Sequence, residues 1–337
     1  MRIALAQTSP ISAPEGPPDL EKPHSTSPFP TLDHNLADAV NFVERAVALN
    51  AEVVIFPEYF LQGITNENRQ YLTFPSRHLI AFLCELAKKH NACITGSIVH
   101  GTRESGAPLP TVSPFAHIPL HANKPSTSKI TPAQLEWAKY LEANPLSAEE
   151  SSQPTLRNTA FFIDQSGEIK GEYVKRNLWH PEREYLTPGE EEHQVFDTKW
   201  GKAGLLICWD ISHPAAAQEL ASQGVDIVFA PTFWYATDSE PLIHNHPHAP
   251  DYETSVVSAL CLARSFETET VWVMCNAGGD AREGFMGGSG IWAPLRGRIG
   301  GCGVEAALEV VDVDLAVLKD ARETYKIRED WSKRQAT

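Results

Sequence analysis

Short aliphatic runs, each cut off by a residue that cannot extend a strand, constrain this chain most. Val53-Val54-Ile55-Phe56 stops at Pro57 and Glu58, and Leu205-Leu206-Ile207 stops at Cys208. Runs this short and this uniformly apolar predict strands covered on both faces. Strands are expected at 2–7, 52–56, 92–98, 157–164, 168–174, 203–207, 226–230, 271–276, 288–293 and 306–312. Between them lie helical stretches at 33–49, 77–90 and 251–268. In the first, Leu36, Val40, Val43 and Val47 recur near the helical period. Strands alternating with helices predict an α/β class with helices covering sheets.

Two of these runs, and one returning hairpin strand, end at a side chain that can do chemistry. Cys208 closes Gly-Lys-Ala-Gly-Leu-Leu-Ile-Cys-Trp-Asp. Ser212 is the expected N-cap of a helix with Pro214 in its first turn and Ala215–Leu220 following. A thiol at such an elbow would face the positive end of the helix, which favours thiolate. Buried free cysteines are nonetheless common and inert, so its neighbours decide the reading. Glu58 is the first charge after its run and would point into the crevice at the strand ends. Burial there would raise its pKa toward that of a general base; a cap or rim carboxylate is the plainer alternative. Lys175 follows the hairpin signal Asp164-Gln165-Ser166-Gly167-Glu168, near the end of the returning strand. It could donate to a developing oxyanion, or simply be a solvated strand-end lysine.

Glu58 in Phe-Pro-Glu, Lys175 in Tyr-Val-Lys-Arg-Asn-Leu-Trp and Cys208 in Ile-Cys-Trp-Asp, in that order, resemble the nitrilase or carbon–nitrogen hydrolase superfamily. The opening strand 1–7, Ala263–Glu267 with Val271–Asn276, and Gly287–Pro294 are also similar to that family. The resemblance runs from residue 1 to about 315. It implies a single-domain four-layer α-β-β-α sandwich, followed by a tail at 316–337. It also implies a Glu-Lys-Cys site: Glu58 as base, Cys208 as nucleophile, and Lys175 with the Trp209 N–H as oxyanion donors. Glu182, in His-Pro-Glu-Arg, matches the family's second glutamate and would orient Lys175; a salt bridge to Arg183 or Arg176 is the alternative. Asp210 is expected to support the elbow. The reaction implied is hydrolysis of an amide or carbamoyl amide through a cysteine thioester. A nitrile substrate, or a silent binding protein of this fold, is the alternative.

A cysteine, a carboxylate and a lysine suffice for acyl transfer, so no cofactor or metal is expected. The net charge of −15 argues against nucleic acid and anionic membranes as partners. The six cysteines (84, 93, 208, 261, 275 and 302) suggest neither a zinc site nor a disulfide framework. With no apolar run long enough for a signal peptide or a membrane span, a cytoplasmic protein is expected. The resemblance further implies a homo-oligomer acting on a small-molecule amide or nitrile.

The chain departs from the family pattern in two Pro-rich insertions, 9–30 and 102–153. The second holds a helical stretch near Pro132–Glu142 and reads either as a solvated loop with a surface helix or as a lid or subunit contact that shapes the pocket. Tyr59, Trp179, His180, Trp209, Phe233 and Trp234, with Tyr235, are expected to wall a pocket for an apolar or aromatic acyl group; the plainer alternative is that half of them are core. His244, His246 and His248, near Asp251, form either a metal-binding string or a surface loop.

Overall fold

The computed structural model describes residues 1–16, 26–103, 108–122, 129–146 and 155–335. Two six-stranded mixed sheets form its centre. In the first, β1 (Arg2–Gln7), β2 (Val53–Ile55) and β3 (Cys93–Gly101) run parallel. Antiparallel β4 (Leu156–Ile163) and β5 (Ile169–Val174) extend one side, and β12 (Ala307–Asp312) closes the other. In the second, β7 (Gly201–Leu205), β8 (Ile227–Thr232) and β9 (Val271–Asn276) run parallel. There β10 (Gly290–Ala293) and β11 (Gly297–Gly301) extend one side, and β6 (Val195–Thr198) closes the other. The two sheets therefore repeat one topology.

Alternation along each strand divides the core. Ile3, Leu5, Val53, Ile55 and Phe162 join the inter-sheet layer, whereas Ala4, Ala6, Val54, Phe161 and Ile163 pack beneath helices. Phe162 meets Phe229 of the other sheet with ring centres 5.4 Å apart. This two-sided burial is why the strands read as continuous apolar runs. Helices α1 (Pro30–Ala48), α2 (Ser76–His90) and α3 (Pro132–Ala143) cover the first sheet. Helices α4 (Pro214–Ser222) and α5 (Tyr252–Thr268) cover the second, which completes the four layers. The terminal stretch forms two more helices, α6 (Val317–Tyr325) and α7 (Ile327–Gln335); α6 buries Leu318 and Ala321.

The expected elements are present with boundary shifts. The nucleophile strand ends at Leu205 rather than Ile207, and β6 and β11 were not anticipated. Both are short, half-exposed edge strands without an apolar run. The described part of the 102–153 insertion packs into the core, with Phe115, Trp137 and Leu141 buried. Trp137 of α3 is buried edge-on against Phe29 at 5.4 Å, and its Nε1 donates to Val112 O at 2.9 Å. Residues 17–25, 104–107, 123–128 and 147–154 of the two insertions lie outside the described residues.

Candidate active site

The three strand-end residues meet at one end of the sandwich. Glu58 sits just past β2, and its backbone N–H donates to Thr232 O of β8 at 3.3 Å, joining the sheets at that point. Lys175 follows β5, with its backbone fixed by Asn158 O at 2.9 Å. Cys208 opens a short 3-10 helix, Cys208–Ser212, with φ of 45°. Tyr59 has φ of 57°. Left-handed backbone at non-glycine residues costs on the order of 1–3 kcal/mol each and persists where surrounding packing enforces it.

Lys175 is fully buried at 0% exposure. Its Nζ donates to Glu58 Oε1 at 2.8 Å and to Glu182 Oε1 at 2.7 Å. Glu58 Oε1 also accepts from Asn158 Nδ2 at 2.7 Å, and the Cys208 thiol is its further hydrogen-bond partner. Glu182 accepts the Tyr59 hydroxyl on Oε1 and the Trp179 N–H on Oε2 at 2.7 Å. Glu182 thus pairs with Lys175 and not with its neighbouring arginines. Arg176 pairs with Glu219 at 2.9 Å, and Arg183 donates to Leu178 O.

Burial pushes the Glu58 carboxyl up to about 7; Lys175 opposes this rise and the Glu182 charge adds to it. For Lys175, burial disfavours the ammonium, but the two carboxylates hold its pKa well above the usual value. Burial, then the Glu58 charge, pushes the Cys208 thiol well above its ordinary range. This corrects the expectation of a helix-stabilised thiolate. Helix α4 begins only at Pro214, with His213 rather than Ser212 at its cap, and a carboxylate is the thiol's nearest strong influence.

Asp210 fastens the elbow to the lysine strand. Its Oδ2 accepts Ile207 N–H and Tyr173 OH, each at 2.9 Å, and its Oδ1 accepts Asn177 Nδ2 at 2.7 Å. Tyr173 is stacked on His193, whose Nδ1 lies 2.9 Å from Glu219.

A cavity of about 190 Å³ opens onto Cys208, Glu58 and Glu182. Five of the six expected wall residues line it: Tyr59, Trp179, Trp209, Phe233 and Trp234. Tyr235 does too. His180 does not; it is exposed and lies flat on Trp179, with ring centres 4.9 Å apart. Sequence reasoning missed Ile64, Asn66, Tyr185 and Asp238 in the lining and Asn158 behind Glu58. Only Asn158 carried a signal, as a poor strand former inside an apolar strand.

His244, His246 and His248 are all exposed, and the string curls on itself: His248 Nδ1 lies 2.9 Å from His246 O. Among the described residues, the group with metal-compatible spacing is Glu44, His90 and His121. There His121 Nδ1 bonds Glu44 at 2.8 Å and His90 Nε2 bonds Leu120 O at 2.7 Å, which pins the insertion to α1 and α2.

The chain is similar to several known proteins. A citrullinase of Francisella tularensis is 34% identical over 120 residues, 34% of this chain and 39% of the relative. An (R)-stereoselective amidase of Pseudomonas sp. is 29% identical over 187 residues, 55% of this chain and 62% of the relative. The chain thus matches less than two thirds of either relative's length. An amidase from Nesterenkonia sp. AN1, with acrylamide added at its active-site cysteine, shares the fold. Its TM-score is 0.58 at 21% identity, over 98% of this chain and 99% of that one. The family model described as carbon-nitrogen hydrolase matches residues 2–112 and 139–323. That match omits only 113–138 of the insertion and the chain's extreme ends, and it contains Glu58, Lys175, Glu182 and Cys208. The chain belongs to the carbon-nitrogen hydrolase family.

Proposed function

We propose that this protein hydrolyses a small-molecule amide or carbamoyl amide through a thioester on Cys208. The observation that carries this reading is the fully buried Lys175 ammonium, held between Glu58 and Glu182 beside the thiol. An ion triad costs several kcal/mol of desolvation to bury, so a charge-neutral core would be easier to fold; chemistry at the cavity accounts for it.

Glu58 takes the thiol proton as Sγ bonds the carbonyl carbon. The resting thiol is neutral, so the nucleophile forms only with its base in contact. The oxyanion accepts from Trp209 N–H, in the first turn of a 3-10 helix, where backbone donors lack intrahelical partners, and the buried Lys175 charge behind the two carboxylates stabilises it. Glu58 passes its proton to the nitrogen, the C–N bond breaks, and ammonia or an amine leaves. Water then gives a proton to Glu58 and attacks the thioester. The C–S bond breaks, and the sulfur recovers the proton from Glu58. A carboxyl near neutrality serves both directions of transfer. Glu182 is a positioning residue for Lys175, locked by Tyr59 and Trp179.

Six free cysteines fit a reducing, cytoplasmic setting. Leu262 and Phe266, exposed one turn apart on α5, offer a surface for a homo-oligomer; sedimentation would detect it. The central test is ammonia release from primary amides, carbamoyl amines and nitriles, with Cys208→Ala as control. Release lost in that variant is expected. Release that persists in it would overturn the thiol mechanism, and release from nitriles alone would reassign the substrate class.

A further inference from the structure

The charges on the cavity wall are one-sided. Glu58, Glu182 and Asp238 line it, and no Lys, Arg or His does among the described residues. Glu58 and Glu182 are both engaged by Lys175 from behind. Among the described residues no cation is in hydrogen-bond contact with Asp238; its Oδ2 accepts the Tyr235 N–H at 3.0 Å. Behind Trp234, the buried Glu253 accepts the indole N–H at 2.9 Å and adds negative field to the same end. Burial pushes the Asp238 carboxyl up to about 6, with the Glu253 and Glu182 charges adding to the rise and the Tyr235 N–H and the Lys175 charge opposing it. Phe233, Trp234 and Tyr235 line the same cavity as Asp238 and the thiol. Aromatic faces attract organic cations, and a desolvated carboxylate completes such a receptor.

We propose that Asp238 selects substrates whose far end is cationic, so that the amide hydrolysed carries an alkylammonium or guanidinium group. This rests on the amidase reading above and names its substrate class. An anionic tail would meet three carboxylates and no free cation. A neutral alkyl tail would leave Asp238 desolvated against an apolar group.

The test compares linear ω-amino amides of three to six carbons with alkyl amides of equal length and with ω-amides of dicarboxylic acids, at pH 8. In the wild type, kcat/KM for the best amino amide should exceed that of its neutral isostere by about tenfold or more, as expected for a charged hydrogen bond. Most of the difference should lie in KM. Asp238→Asn should collapse that ratio toward one, and Asp238→Glu should retain it. Equal kcat/KM for amino and alkyl amides in the wild type, or a ratio unmoved by Asp238→Asn, would overturn the proposal while leaving the amidase reading intact. Calorimetric binding of the same amides to Cys208→Ala and to Cys208→Ala/Asp238→Asn separates the two readings. Cation-selective binding lost with Asp238, without turnover in the wild type, would sustain the receptor and defeat the reaction. Binding that ignores tail charge would defeat the receptor.

Discussion

Two buried polar clusters sit at strand ends in this sandwich, and they are built from opposite materials. One is Glu58, Lys175 and Glu182, three charges within 2.8 Å contacts. The other is Gln7, Asn276 and Ser289, wholly buried and uncharged. Gln7 Nε2 donates to Gly303 O at 2.8 Å, and its Oε1 accepts Ser289 N–H at 3.1 Å. Asn276 bonds Trp234 on both sides, accepting its N–H at 2.8 Å and donating to its O at 3.0 Å. Neutral amides satisfied by backbone are enough to tie loops to sheet ends. A fold that needed only tethering could use them at both places. The charged cluster therefore marks where the molecule accepts a stability cost for reactivity.

The sharpest way to break this contrast is Cys208→Ala. Turnover should fall by at least about a thousandfold, as when a nucleophile is removed. The melting temperature should hold, because the ion triad does not depend on the sulfur. A large loss of stability would mean that the thiol is structural. Next in size is Lys175→Met, which leaves two carboxylates facing each other without their cation. Breaking a buried pair in this way costs about 3–5 kcal/mol. Chemical denaturation should register that loss, and adding Glu58→Gln should recover part of it. Full stability in the single variant would mean that the carboxylates simply take up protons.

The pH dependence follows from Glu58, and it runs in opposite directions for rate and stability. With the ionised carboxylate as the proposed base, kcat/KM should rise about tenfold per pH unit below about 7 and then level off. Its folded pKa lies above the ordinary glutamate value of 4.5, so the folded state binds the extra proton. That contribution to stability is complete below about 4.5 and disappears as pH rises through about 7. Denaturation from pH 5 to 8 should therefore show a decline in the wild type that is flattened in Glu58→Gln. Parallel curves for the two proteins would remove Glu58 as the titrating group.

The strands were legible because burial on both faces leaves an unbroken apolar run, as in Val53–Ile55 and Val271–Cys275. Glu58 and Cys208 were legible because each is the first reactive side chain after such a run, and Lys175 because it closes the returning strand of a hairpin and stands in a Tyr-Val-Lys-Arg-Asn-Leu-Trp context. Edge strands β6 and β11 escaped because a half-exposed strand needs no apolar run. Asp238 escaped because an aspartate in a Thr-Asp-Ser loop reads as a turn residue, and only the tertiary fold turns it toward the thiol. His180 misled for a related reason: its ring stacks on the outer face of Trp179, which itself lines the cavity, so His180 is exposed beyond the wall.

The smallest effect concerns the neutral cluster, and it sharpens the contrast from the other side. Gln7→Leu removes one amide that serves the Gly303 carbonyl and the Ser289 N–H together. Buried groups left without partners cost about 1–3 kcal/mol, so urea denaturation should register a loss in that range. Gln7 touches none of Glu58, Lys175, Glu182 or Cys208, so kcat at saturating amide should stay within about twofold of the wild type, the scatter expected for a site without shared partners. A stability loss with intact kcat would confine the amide cluster to tethering. A kcat loss well beyond twofold would mean that loop placement at this end reaches the thiol, with Asn276 and Trp234 as the connecting path. The two clusters would then work as one unit, and the division between tether and chemistry would fail.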